Sequence, residues 1–124
     1  RLHSSSYDRV PEHLAMFDIG LFFILPVFSK SASSPVKQGE MLAMGLPVLC
    51  NSGVGDTDRV VQEIDKSLLI NGFNEEAYER VLHVLKDKKY REKLSPLCTE
   101  VANRWFDVNR GIETYHSVYQ KLTK

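Results

Sequence analysis

Along the chain, short apolar runs alternate with short helically spaced stretches as far as residue 72, and from about residue 74 the spacing is helical almost throughout. The first half reads strand, helix, strand, helix, strand, helix, strand. Arg1–Ser5 is expected to be a first strand. Val10–Phe17 is expected to be a short helix with Pro11 in its first turn, where a missing N–H costs nothing. Asp18–Leu25 is nearly all apolar and ends at Pro26, the pattern of a strand buried on both faces. Ser34 then offers an N-cap, with Pro35 at the first helical position. The helix is expected to reach Met44, where Gly45 supplies a left-handed residue and Pro47 blocks continuation. Pro47–Cys50 reads as a short central strand and Asn51–Gly55 as a loop. Asp56 or Thr57 caps a helix over Asp58–Ile64, and Ser67–Ile70 is the last strand. Strands of this length alternating with helices predict a parallel α/β sheet. Open sheets of that kind bind ligands outside the carboxyl ends of their strands, which singles out residues 4–9, 26–36 and 51–57.

The second half, residues 73–124, reads as three helices. Asn74 caps the first, with Glu75 and Glu76 in its opening turn. The second, Tyr90–Phe106, carries Leu94, Leu97, Val101 and Trp105 on one face. The third, Asp107–Leu122, carries Ile112, Tyr115, Tyr119 and Leu122. Both apolar faces are expected to pack into the core.

Composition narrows this picture. The 124 residues suit one domain. Sixteen basic and sixteen acidic side chains cancel, which argues against nucleic-acid binding by bulk charge and against a polybasic membrane patch. Cys50 and Cys98 stand alone, as buried thiols in a reducing compartment would, and a cytoplasmic protein is expected. The apolar run Ile19–Phe28 is broken by Gly20 and Pro26 and is too short to span a bilayer. No signal peptide is evident, and a chain opening at Arg1 is expected to be part of something larger.

Candidate chemistry concentrates in Phe28–Val48. A serine-rich loop enters a helix at Ser34-Pro35, and the first-turn N–H groups of Val36 and Lys37 would face the crevice as an anion site. The Lys37 charge opposes the helix dipole there, a penalty that a bound phosphate would reverse. Glu40 lies one turn on. With Val36, Ala43 and Met44 as apolar neighbours, its carboxylate is expected beside the sheet-packing face, leaning toward the helix N-terminus, where a ribose diol could donate to it. Gly53-Val54-Gly55 resembles a dinucleotide fingerprint, but Asp58 stands at the third glycine position, so a turn beside the site is expected. His3, Ser4 and Ser5 stand at the carboxyl end of the expected first strand. His13, His83 and His116 lack metal-ligand spacing, and no metal site is expected.

Glu40-Met-Leu-Ala-Met-Gly-Leu-Pro-Val48 resembles the second half of the nucleotide-sugar motif of family-four retaining glycosyltransferases, with Asp18–Pro26 similar to its preceding strand and Gly53–Val61 to its following turn and helix. The resemblance implies the donor-binding C-terminal half of a two-domain GT-B fold, truncated at its N-terminus. Its Rossmann-like part would span residues 1–72 and its helical tail residues 73–124. It also implies a nucleoside-diphosphate sugar as donor, with Glu40 on the ribose, Ser33, Ser34, Val36 and Lys37 near the diphosphate, and a base-contacting loop at His3, Ser4 and Ser5. Sugar transfer would go to a glycan or lipid-linked acceptor, with no obligatory cofactor. The leaving-group Arg and Lys of the family lie upstream of its motif, so no catalytic residue is expected in this chain and the chain alone is expected to be inactive. The partner implied is an N-terminal acceptor-binding domain of the same protein, and peripheral attachment to the inner face of a membrane is compatible with that role. The family's first glutamate, seven residues before the second, is here Ala32, so the resemblance speaks to the nucleotide more than to the sugar. A non-catalytic nucleotide-binding or interaction domain and a GT-B sugar-nucleotide epimerase are the alternative readings.

Overall fold

The computed structural model describes residues 4–123. Three strands, β1 (Gly20–Phe22), β2 (Val48–Asn51) and β3 (Leu69–Ile70), form a parallel sheet in the order β1-β2-β3. Gly20 pairs with Val48, and Cys50 with Leu69. The helices are α1 (Val10–Leu14), α2 (Val36–Ala43), α3 (Thr57–Gln62), α4 (Glu75–Lys86), α5 (Lys88–Trp105) and α6 (Val108–Leu122). The fold class is therefore α/β with a helical C-terminal part. No described helix is long and apolar enough to cross a membrane.

Alternation along β2 divides the core. Val48 and Cys50 join Leu42 of α2, Val60 and Val61 of α3, and Leu94, Cys98, Val101 and Ala102 of α5. Leu49 points the other way, into a smaller cluster with Ile70 and Ala77, against which Val81 packs. All four residues of β2 are buried, as a central parallel strand requires.

Four expectations fail in the strands and helices. The first strand falls partly on residues 1–3, outside the described residues. Ser4 and Ser5 are exposed and in no strand. β1 has only three residues and is not buried on both faces: Leu21 is 49% exposed. It is an edge strand among the described residues, so an apolar run that reads as interior has cover on one side only. The last strand shrinks to two residues because a 3-10 turn, Lys66–Leu68, takes its start. Asp65 sets that turn by accepting the Ser67 N–H at 2.8 Å. Finally, α6 buries none of its residues; Tyr115 is 70% exposed.

Caps account for the helix boundaries that were legible. Asn74 accepts the Ala77 N–H at 2.9 Å at the start of α4. Asp87 accepts the Tyr90 N–H at 2.9 Å and opens α5 straight after α4 ends. At the end of α2 the Leu46 N–H reaches the Met41 carbonyl at 3.0 Å and the Gly45 N–H the Leu42 carbonyl at 2.9 Å, a Schellman pair with Gly45 at φ +72°. The far end of α5 is tied to the Glu63 carboxylate after α3: Arg104 donates to it at 2.7 Å and the Trp105 indole N–H at 3.0 Å.

Candidate functional site

The loop between β1 and α2 is fastened to the carboxyl edge of the sheet by one side chain. Asn51, 3% exposed, accepts the Ile24 N–H at 2.8 Å and donates to the Ile24 carbonyl at 2.8 Å, prolonging the β1–β2 pairing beyond β1. In the sequence Asn51 reads as a loop residue without a role. Gly55, at φ +48°, presses on the Ser33 backbone so closely that a Cβ would overlap the Ser33 carbonyl oxygen and lie 2.7 Å from its carbon. The Ser34 hydroxyl donates to Asp56 Oδ2 at 3.2 Å. Two loops that leave adjacent parallel strands are thus locked into one ledge, and α2 starts from it.

This corrects the expected cap. Pro35, not Ser34, is the N-cap of α2, and no side chain caps it, because the Ser34 hydroxyl is turned to Asp56. The Gln38 N–H bonds to the Pro35 carbonyl at 2.9 Å. The N–H groups of Val36 and Lys37 precede any carbonyl that the helix could offer them. Val36 and Lys37 are both exposed, and Lys37 has no ion pair among the described residues.

The surroundings assigned to Glu40 are also corrected. Gln38, Gly39 and Leu42 are the buried residues of α2, and Val36 and Ala43 are exposed. Glu40 stands about 200° around the helix from Gln38 and Leu42 but about 100° from Gly39, so it lies on the flank of the buried face. An apolar neighbour set suggests a core face, but here these residues line a groove instead. Glu40 is half-buried and has no hydrogen-bond or ion-pair partner among the described residues.

Two hollows meet at Glu40. One, of about 430 Å³, includes Tyr7, Ser34, Val36 and Glu40 in its wall and runs toward Phe106 and Asp107. The other, of about 270 Å³, includes Tyr7, Asp8, Val10, Pro11 and Glu40. Ser34, Val36 and Glu40 are therefore brought together. Ser33 belongs to the adjoining ledge, and Lys37 lines neither hollow. Ser4 and Ser5 line neither hollow as well, and the Ser5 hydroxyl lies 3.0 Å from His13 Nε2. Tyr7 lines both hollows and Asp8 the smaller one; both belong to the segment 4–9 singled out in the sequence. His3 lies outside the described residues. A larger groove, of about 920 Å³, runs along the α5–α6 junction and contains none of the predicted site residues.

The chain matches no protein-family model, no curated protein and no solved structure.

Among the described residues, the buried side-chain polar atoms without a hydrogen-bond partner are both amide atoms of Gln38, the Thr57 hydroxyl and Asp56 Oδ1. Each such atom costs about 1–3 kcal/mol when buried. Among the described residues no group of three His, Cys, Asp or Glu side chains is placed to hold a metal ion. The two thiols belong to the core, where burial pushes both Cys50 and Cys98 up to about 12, with Asp58 adding to the rise at Cys50.

Proposed function

We propose that this chain is the nucleotide-sugar-binding part of a retaining glycosyltransferase of the GT-B type, its sheet part of a Rossmann-like arrangement. One observation carries the reading: the segment that resembles the family motif folds as a helix rising from the carboxyl edge of a parallel sheet, with Glu40 in the wall of a groove one turn from the helix start. Parallel sheets place ligands at that edge, and a helix N-terminus favours the negative charge of a diphosphate.

In this reading the diphosphate lies against the Val36 and Lys37 N–H groups, and the Lys37 ammonium adds charge from the first turn. Glu40 accepts hydrogen bonds from the ribose diol. With Ala32 where the family has a glutamate, the sugar is held by other groups. When the sugar–phosphate bond breaks, negative charge grows on the leaving diphosphate, and donors fixed beforehand stabilise it without reorganising. The resemblance assigns acceptor binding and the remaining leaving-group cations to residues outside this chain.

Calorimetric titration of the full-length protein with GDP, UDP and ADP tests the reading. At least one should bind, and Glu40→Gln should weaken that binding about tenfold or more, since hydrogen bonds to a charged partner are worth about 1.5–3 kcal/mol. Ala32→Glu should leave nucleoside-diphosphate affinity unchanged. Equal affinity for the wild type and Glu40→Gln removes Glu40 from the site.

A further inference from the structure

We propose that Tyr7 and Asp8 form the nucleobase subsite of this groove and that the base they select is guanine. The inference rests on the nucleotide-binding reading above and adds to it the identity of the base. Tyr7 is the residue before Glu40 in the chain that lines both hollows meeting at that carboxylate. The residue is 81% exposed, so core packing does not account for its position. An exposed ring bordering a groove offers a face on which any base can stack.

Asp8 supplies the discrimination. Asp8 and Glu40 are the acidic residues that line the smaller hollow, with Val10, Pro11, Leu14, Ala43 and Met44 as the apolar remainder. The neighbouring Arg9 is occupied by Glu12, Nε to Oε2 at 3.1 Å, and Asp8 has no ion pair among the described residues. An ionised carboxylate only accepts hydrogen bonds, through two oxygens. Guanine presents two adjacent donors, N1–H and N2–H₂, that match those oxygens. Uracil presents one donor between two carbonyl oxygens, which the carboxylate would repel. Adenine and cytosine each present one donor beside an acceptor. A nucleoside whose ribose is held at Glu40 can therefore turn its base into the smaller hollow, over Tyr7 and against Asp8, while its diphosphate follows the larger hollow to Ser34 and Val36.

The test is titration of the full-length protein and three variants with GDP, UDP and ADP. GDP should bind the wild type at least tenfold more tightly than UDP. Tyr7→Ala should weaken GDP binding roughly five- to a hundredfold, the range for loss of one stacked base, and Tyr7→Phe should restore it. Asp8→Asn should lower GDP affinity and leave UDP affinity unchanged or raised, which erases the preference. If UDP binds as well as GDP, or if Tyr7→Ala and Asp8→Asn bind GDP as the wild type does while Glu40→Gln is impaired, the base subsite is elsewhere and the nucleotide reading survives. If GDP and UDP fail while ADP binds, the guanine assignment falls and the nucleotide reading survives; if none of the three binds, both fall. Circular dichroism of each variant separates loss of contact from loss of fold.

Discussion

α5 and α6 follow one another with a single break at Phe106-Asp107, and their sequences carry the same helical spacing of apolar residues. Their fates differ. α5 buries Leu94, Cys98, Val101 and Ala102 against the sheet and α2, while α6 buries nothing and exposes Ile112, Tyr115, Tyr119 and Leu122. Periodicity determines that a helix has an apolar face; it does not determine what the face meets. α5 meets β2 and α2, to which its neighbours in the chain deliver it. Among the described residues nothing buries the apolar face of α6, which is tied to α5 by Arg110 donating to the Arg104 carbonyl at 3.0 Å.

The sharpest way to break that contrast is to truncate one side chain on each helix. Leu94→Ala should cost about 2–5 kcal/mol of unfolding free energy, because it removes a buried side chain and leaves a cavity. Tyr115→Ala should stay within about 0.5 kcal/mol, as exposed substitutions do. Urea denaturation of both variants checks this, and comparable losses would place α6 in the core.

Thiol chemistry sharpens the comparison without perturbing the fold as much. Cys98 is fully buried and its thiol is pushed up to about 12 by burial, so at pH 8 it holds almost no thiolate. Iodoacetamide should leave Cys50 and Cys98 unmodified in the native protein and alkylate both in denaturant. A cysteine introduced by Tyr115→Cys should react in the native state. Native labelling of Cys98 at the rate of that surface thiol would contradict the burial assigned to α5.

These cases show where the sequence was informative. Local chemistry was readable: the Gly45 stop, the Asn74 cap, the Pro11 helix start and the central strand before Cys50 all depend on residues within a few positions of one another. Tertiary assignments were harder. The Asp18–Leu25 run is apolar enough for an interior strand, yet its place at the edge depends on what lies beside it in space. Ser34 has the composition of a cap, but Asp56, 22 residues on, takes its hydroxyl. The α2 helix, its limits near residues 36 and 44 and the presence of Glu40 upon it were all legible. Which face of that helix is buried was not, because Gln38 takes the buried position that an apolar residue would have advertised. Tyr7 and Asp8 went unnoticed because a groove exists only once α1 and α2 are side by side.

The most direct measurement of the central claim is a crystal structure of the full-length protein with a bound nucleoside diphosphate. The account predicts the diphosphate at the start of α2, against the Val36 and Lys37 N–H groups, with the ribose hydroxyls within hydrogen-bond distance of Glu40. A nucleotide bound away from α2, or a Glu40 carboxylate that makes no contact with it, would contradict the account.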